Sequence, residues 1–236
     1  MPSHSAPVRF NRAIATPESP RRTAGTLRRV DVTVGDDGLA RCSWSATTPE
    51  YRAYHDDEWG RPVGDDGRIY QKLCLESFQA GLSWLTILRK REAFREAFSS
   101  FDPEAVAAFD DAEVERLLAD SRIVRNRAKI AATISNARAT VALHTQGISL
   151  AGLVWSHRPA DSPPPRRLGD IPSSTSESKA LSADLRRYGF AFLGPTTVYA
   201  TMQSIGVVND HLRDCHWRTT VDGERSKFSI PDATVG

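Results

Sequence analysis

Apolar residues recur at three- and four-residue intervals through most of this chain, and no segment sustains the alternation of a half-buried strand. Residues 69–80 and 83–98 show this spacing, and so does the stretch from Ile123 to Val141. Such spacing places apolar side chains on one face of an α-helix. The sequence therefore predicts an all-α protein, and its 236 residues are enough for one large domain or two small ones.

Capping residues and helix breakers predict several helix boundaries. Asp102 can cap a helix that has Pro103 in its first turn. Asp110 or Asp111 can begin the next helix in the same way. The other expected boundaries are an end at Gly189 and a last helix between Pro195 and Gly206.

Charge is distributed unevenly along the chain, although the formal net charge is only +2. No acidic residue lies between Asp120 and Asp161. A patch of one sign is the kind of surface that meets phosphate groups, but a solvated helix face is equally compatible with charge alone. The basic residues of this stretch that we consider are Arg122, Arg125, Arg127, Lys129 and Arg138.

The two ends of the chain differ in composition from the middle. The first thirty residues contain six arginines and one acid, Glu18. We expect residues 1–39 to be a basic, disordered extension that can contact DNA nonspecifically, residues 40–217 to form the domain, and residues 218–236 to be a tail. No apolar run approaches the roughly 18 residues of a membrane span. Three cysteines do not suggest a secreted disulfide framework, so we expect a cytoplasmic protein.

Cysteine and histidine residues near both ends of the domain have the chemistry of a metal site. Cys42 and His55 lie near its start, and His211 and Cys215 are spaced i and i+4 near its end, where a helical turn would place both side chains on one face. Two thiolates and two imidazoles complete a tetrahedral zinc site, which would be structural because no position remains for water. The alternative is a buried cysteine with ordinary structural histidines.

One apolar helical run, LCLESFQAGLSWLTIL at residues 73–88, contains polar residues that a buried helix would avoid. A carboxylate such as Glu76 is costly among leucines unless something pairs with it. Gln79, Gly81 and Ser83 follow within the same run. Either two helices meet at a turn here, or the run lines a pocket for something polar and flat.

Six segments of the chain carry a resemblance when they are read together and in order. They are RCSW, EYRAYHDDEWG, CLESFQAGLSWLTIL, REAFREAFSSFDP, IPSSTSES and GVVNDHLRDC, and they span Arg41 to Cys215. This ordered set resembles 3-methyladenine DNA glycosylase I of the helix-hairpin-helix superfamily. The resemblance implies that fold, with the N- and C-terminal segments tied by one structural Zn²⁺ on Cys42, His55, His211 and Cys215.

The resemblance also implies an activity: hydrolytic release of N3-methyladenine from alkylated double-stranded DNA, after the base has been flipped out of the duplex. It implies that Glu76 is the buried catalytic carboxylate that contacts the base. Tyr54, Trp59 and Trp84 would form the aromatic base-binding walls, and Leu82 would be the wedge that fills the gap in the DNA stack. Each tryptophan could instead be an ordinary core residue. Tyr51 and Trp44 are expected to support these walls.

The family's DNA-binding hairpin corresponds to residues 120–130, and here the sequence departs from the pattern. Arg122 and Ala128 stand where the family often has glycine. Glycines expose backbone N–H groups to phosphate, so side-chain charge would have to replace part of that contact. The residues expected to contact DNA phosphates are Arg122, Arg125, Arg127 and Lys129.

Two other classes of function share some of these features. A zinc-stabilised DNA-binding protein could sense alkylation without catalysis, and a zinc hydrolase would require an exchangeable metal ligand. The quoted motifs contain no lysine, so a lyase step through a Schiff base is not expected. The resemblance further implies a monomer that acts at the nucleoid of a bacterial cytoplasm and releases free 3-methyladenine as product.

Overall fold

A computed structural model of the protein describes residues 31–234, and the predicted disorder of residues 1–30 lies outside them. Two short strands come first, β1 (Val32–Val34) and β2 (Ala40–Cys42). Within the described residues, the α-helices are α1 (Pro49–Asp57), α2 (Asp66–Gln79), α3 (Trp84–Ala97), α4 (Pro103–Ala107), α5 (Asp111–Ala119), α6 (Arg127–Thr145), α7 (Leu150–Trp155), α8 (Ser176–Arg187), α9 (Pro195–Ser204) and α10 (Trp217–Lys227).

The predicted helix boundaries agree with the caps that the structure contains. The side chain of Asp102 accepts hydrogen bonds from the first turn of α4, and Asp110 does the same for α5. Helix α8 ends before Gly189, whose φ of 91° is left-handed. Ser83 caps α3, so the run at residues 73–88 is two helices joined at a turn.

Helix α2 packs against both α6 and α9. The hydroxyl of Tyr70 on α2 donates to the carbonyl of Thr133 on α6 at 3.0 Å. Just before α2, the N–H of Val63 donates to the carbonyl of Ile205 at the end of α9. Residues 73–78 of α2 are buried without interruption, and the C-terminal end of α2 lies beside the N-terminal end of α6.

The two strands are a departure from the all-α prediction, although the molecule is mostly helical. They pair antiparallel, with Val32 opposite Cys42 and Val34 opposite Ala40. Strands of three residues are too short for alternation to be detected in the sequence. Residues 31–39 therefore belong to ordered structure, and the predicted boundary at residue 40 cuts through a β-hairpin.

The predicted C-terminal tail also contains packed structure. Helix α10 includes most of it, and the ring of Phe228 lies 4.7 Å from that of Trp155 on α7. Further on, Thr234 forms a bridge with Ile148. Only Val221 of α10 is buried, so the apolar spacing that indicates a helix is weak there.

No helix among residues 31–234 combines the length and apolar character needed to cross a membrane.

Gly206, which follows α9, is required by its surroundings, and this can be tested. Its φ is +77°, and a Cβ at this position would lie 2.6 Å from the carbonyl oxygen of Gly60. We expect G206A to lower the free energy of unfolding by about 2 kcal/mol or more, through left-handed strain and steric overlap. Urea denaturation followed by circular dichroism measures the change.

Gly223 provides the matched control. It lies inside α10, and a Cβ there would have no atom within 4 Å. Since alanine is the better helix former, G223A should raise the free energy of unfolding by up to about 1 kcal/mol. Equal effects of the two substitutions would contradict the close approach at Gly206.

Candidate functional site

The predicted metal ligands come together although they are far apart in the sequence. Cys42, His55, His211 and Cys215 are all buried, and one ligand atom from each lies within 4.8 Å of the others. The Sγ of Cys215 is 3.6 Å from Nε2 of His55 and 3.5 Å from Nδ1 of His211. This cluster could hold a metal ion.

The second nitrogen of each histidine in the cluster has its own partner. Nδ1 of His55 lies 2.8 Å from a carboxylate oxygen of Asp56. Nε2 of His211 lies 3.1 Å from the carbonyl oxygen of Trp59. Such partners fix the tautomer, so that the nitrogen that faces the cluster is the unprotonated one. Asp56 is held in turn by the guanidinium of Arg41 at 2.8 Å.

The chain around His211 and Cys215 is not helical, and in this respect the prediction is wrong. Residues 211–216 form turns between α9 and α10. The side chain of Asn209 accepts a hydrogen bond from the N–H of His211 at 3.2 Å, and this local bond competes with helix formation. A hydrogen bond from the N–H of Cys215 to Leu212 closes the turn and still brings the two ligands together.

A cavity of about 560 Å³ lies beside the cluster of cysteine and histidine residues. Aromatic and apolar side chains form most of its wall, with a few polar groups, as in many small-molecule sites. Its walls come from α1, α2, α9, the first turn of α3 and three connecting segments. The lining residues are Trp44, Thr47, Tyr51, Tyr54, Trp59, Glu76, Gln79, Trp84, Leu168, Ile171, Ala200 and Gln203.

Glu76 is the acidic group of this cavity. Its residue is 6% exposed, and within residues 31–234 its carboxylate has no hydrogen bond or ion pair from another side chain. Burial raises the pKa of Glu76 to about 7, and the positive charge of Lys72 opposes that rise. A carboxylate without a direct partner is available to a ligand that enters the cavity.

The predicted aromatic walls lie around this carboxylate. The rings of Tyr54 and Trp84 are 5.4 Å apart, and the rings of Trp44 and Trp59 are 5.1 Å apart. Tyr51, which was expected to support the walls, accepts a hydrogen bond through its hydroxyl from the N–H of Leu85 at 3.1 Å. That bond positions the first turn of α3, from which Trp84 reaches the cavity.

Leu82 is outside the cavity, on the turn between α2 and α3. It is 40% exposed, which is unusual for a large apolar side chain in this protein. Gly81 before it has a φ of +84°, and the side chain of Gln79 donates to the carbonyl of Leu82 at 2.9 Å. The turn therefore presents an apolar side chain to solvent from a fixed backbone.

Sequence reasoning missed several residues that contribute to the site. Gln203 on α9 lines the cavity and was not identified, whereas Gln79, which the sequence singled out as a polar residue of the run at 73–88, lines it as well. Lys72 was also missed: it is one helical turn before Glu76, and its Nζ lies 5.0 Å from the centre of the Tyr54 ring.

In the basic stretch at residues 120–130, residues 120–126 form the turn between α5 and α6, and residues 127–130 begin α6. The guanidinium of Arg122 pairs with Asp120 and Glu96, and Arg127 pairs with Glu115. These pairs reduce the excess positive charge that the sequence suggested, because Glu96 on α3 and Glu115 on α5 lie beside the stretch in space. In the part of the chain that the structure describes, the side chain of Arg125 makes no such pair, and it is exposed.

Lys129 does not have the role that the sequence predicted. The residue is only 8% exposed. Its Nζ donates to the carbonyls of Phe78 and Ala80 at 2.9 and 2.6 Å. It thus satisfies carbonyls at the C-terminal end of α2, where a cation is favourable, and is not placed to contact a phosphate.

Comparison with known proteins decides the family. The sequence model of the family described as "Methyladenine glycosylase" matches residues 44–219, which is well over half of the chain. The chain belongs to the methyladenine glycosylase family. This confirms the family to which the six sequence segments pointed.

Two curated relatives are similar to this methyladenine glycosylase family member over nearly their whole length. The DNA-3-methyladenine glycosylase of Haemophilus influenzae is 43% identical over 183 residues, covering 76% of this chain and 98% of that protein. The DNA-3-methyladenine glycosylase 1 of Escherichia coli is 46% identical over 180 residues, covering 75% of this chain and 96% of that protein.

Solved structures agree with the family assignment. A crystal structure of 3-methyladenine DNA glycosylase I matches with a TM-score of 0.73 at 46% identity, covering 75% of this chain and 98% of the other. A variant of 3-methyladenine DNA glycosylase I in complex with 3-methyladenine matches with a TM-score of 0.72 at 36% identity, covering 75% and 97%.

Proposed function

We propose that this protein removes N3-methyladenine from alkylated double-stranded DNA by hydrolysis of the glycosidic bond. Relatives at 43% and 46% identity carry the name DNA-3-methyladenine glycosylase, and this supports the activity. The observation that carries the proposal is the cavity itself, in which a buried carboxylate without a direct partner lies between aromatic rings.

The chemistry of the lesion fits this cavity. N3-methyladenine in DNA is cationic, so its glycosidic bond is weak and selection against normal adenine is the harder task. The carboxylate of Glu76 favours a cation over a neutral base by charge. Aromatic faces such as those of Tyr54 and Trp84 add a cation–π attraction of about 0.5–2 kcal/mol. Trp59 closes the same wall.

Glu76 acts first by recognition and electrostatic stabilisation of the cationic base. Since the leaving group is already activated, little acid catalysis is needed, and water activation by Glu76 is secondary. The residues that line the cavity include no lysine, which supports a monofunctional glycosylase that releases free 3-methyladenine without a lyase step.

DNA would approach the end of the molecule where Leu82 is exposed. An apolar side chain on a fixed turn suits a wedge that fills the gap left by the flipped base. The α5–α6 turn lies at the same end, because Lys129 on α6 bonds the carbonyls that precede Leu82. We assign this turn as the helix-hairpin-helix element, with phosphate contacts from Arg122, Arg125 and Arg127.

The four-residue cluster suits zinc by its donor set. Tetrahedral Zn²⁺ with bonds of about 2.0–2.3 Å to nitrogen and sulfur has ligands about 3.3–3.8 Å apart. The distances of 3.5 and 3.6 Å from Cys215 to the histidines fall in this range. A hydrogen bond between the two thiols lowers the pKa of Cys215 and raises the pKa of Cys42, so one thiolate is favoured. With four protein ligands, the zinc would be structural.

The protein is proposed to act as a monomer in the bacterial cytoplasm, at the nucleoid. A partner subunit is not needed, since all groups assigned to the reaction lie in one chain.

Base release from methylated duplex DNA, followed by chromatography of the released purines, tests the proposal. The wild type should release 3-methyladenine, whereas a sensor without catalysis would release none. We expect W84A and E76Q each to reduce kcat/KM at least tenfold, and Y54F to have a smaller effect because its ring remains. E76Q could instead bind free 3-methyladenine normally and lose nearly all turnover. That result would show that Glu76 acts primarily as a catalytic base.

The α5–α6 turn gives a second prediction, on salt dependence. R125A should weaken binding to damaged and undamaged duplex alike and reduce the slope of log K against log salt by about 1, because one phosphate contact is lost. R127A should act in the same direction but less, since Arg127 already shares its charge with Glu115.

Lys179, exposed on α8, gives the control variant K179A, which should leave the slope unchanged. Fluorescence anisotropy at several salt concentrations measures all three variants. If R125A lost affinity only for damaged DNA and the slope of log K against log salt did not change, Arg125 would not be a phosphate contact.

Metal content gives a third prediction. Purified protein should contain about one zinc per chain, and C215S should lose the metal and lower the melting temperature, because metal binding is coupled to folding. C74S is the matched control, since Cys74 is buried away from the cluster, and it should retain the zinc. Plasma mass spectrometry decides the outcome, and zinc retained at full occupancy by C215S would contradict the ligand set.

A further inference from the structure

Lys72 is a buried cation behind the wall of the cavity. Its side chain is 12% exposed, and its Nζ lies 5.0 Å from the centre of the Tyr54 ring. On α2 it comes four residues before Glu76, so the two side chains are on the same face of the helix. It does not line the cavity, and no ion pair within 4.0 Å joins it to Glu76 among residues 31–234.

A second carboxylate holds Lys72 in this position. Oε2 of Glu58, at the end of α1, lies 3.4 Å from Nζ of Lys72. The same carboxylate accepts hydrogen bonds from Arg91 on α3 at 2.6 and 2.8 Å. Arg91 also approaches Glu92 at 3.9 Å, but Glu92 is 72% exposed and its charge is screened by solvent.

The charges of Lys72, Arg91 and Glu58 sum to zero only when the negative charge of Glu76 is added. Lys72 and Arg91 contribute two positive charges, and Glu58 contributes one negative charge. Half-buried groups with an excess charge are unfavourable unless another charge compensates them. Glu76 supplies that charge when it is ionised, and the remaining neighbours of Glu76 in the cavity, such as Tyr54 from α1 and Gln203 from α9, are uncharged.

We propose that Lys72 is a positioning residue for the reaction: it keeps Glu76 ionised from behind the cavity wall and leaves the carboxylate free for a cationic purine. Glu58 holds the ammonium away from Glu76, so that the acid is not neutralised by a direct ion pair. The coulombic effect of Lys72 on Glu76 and the opposing effect of burial agree with this arrangement. The inference rests on the proposed function, since it concerns the capture of a cationic base.

The pH dependence of kcat/KM for base release tests the proposal. Burial raises the pKa of Glu76 to about 7. Activity should therefore be present above that pH and be lost as pH falls through it, when the carboxylate becomes neutral. In K72M, without the nearby cation, the midpoint should move upward by about one pH unit. The variant should then show about tenfold lower activity than the wild type near pH 6, and a difference of less than about twofold near pH 8.5.

Two further variants separate charge from structural damage. K72R keeps the positive charge and should restore the wild-type midpoint, whereas K179M replaces an exposed lysine and should leave the profile unchanged. A K72M profile that is uniformly lower at every pH, or one that superimposes on that of the wild type, would overturn the proposal. So would a shifted midpoint that K72R does not restore.

A direct titration keeps the inference separate from the activity. Carbon-13 NMR of the Glu76 carboxyl, assigned with the E76Q variant, should show a higher midpoint in K72M than in the wild type. If the wild type releases no base at any pH, the proposed function fails, while the titration still tests the charge relation. If the wild type is active and the carboxyl midpoint is unchanged in K72M, only the role of Lys72 fails.

Discussion

The carboxylate of Glu76 is buried on α2. A buried carboxylate destabilises the folded state unless another charge or hydrogen bond compensates it. The surrounding structure compensates it indirectly. Lys72 lies on the same helix, and Glu58 and Arg91 come from the helices on either side. Three helices are thus tied together by charges just outside the cavity, while the cavity itself retains a free carboxylate. We infer that the same arrangement stabilises the fold and gives the cavity its affinity for a cation.

The aromatic wall of the cavity depends on a second set of contacts near the chain termini. Trp59 contributes a ring to the cavity. Its carbonyl accepts a hydrogen bond from His211, which belongs to the cluster of two cysteines and two histidines. Trp44 follows Cys42 closely and packs against the Trp59 ring at 5.1 Å. The cluster and the cavity therefore share a wall, so that loss of one would disturb the other. A metal held by these four residues would therefore influence the cavity only indirectly, through this wall.

Local features of the fold could be predicted from the sequence, because their causes are local. Asp102 and Asp110 cap helices through bonds to residues two or three positions away, and the apolar spacing of α2 reports its buried face. The four cysteine and histidine residues have the chemistry of a metal site, but the family resemblance was needed to choose them as a set. The carboxylate of Glu76 is unusual in an apolar run, and its placement at the site likewise came from the resemblance.

Features that depend on distant residues could not be predicted in this way. Lys129 looked like a phosphate ligand until α6 was placed against α2, where its ammonium meets two carbonyls. The charge of Arg122 is shared with Glu96, which lies on another element. The sequence did not indicate a role for Lys72, because its partner Glu58 lies fourteen residues earlier, at the end of a different helix. In each case the decisive interaction joins segments whose proximity only the tertiary structure provides.

The separation of the four cysteine and histidine ligands along the chain has a consequence for biosynthesis. Cys42 and His55 leave the ribosome first, and more than 150 residues of further synthesis separate His55 from His211. A nascent chain therefore carries half of the cysteine and histidine set throughout that interval, with Asp56 already adjacent to His55. This wall of the cavity can close only after the second pair of residues has been made.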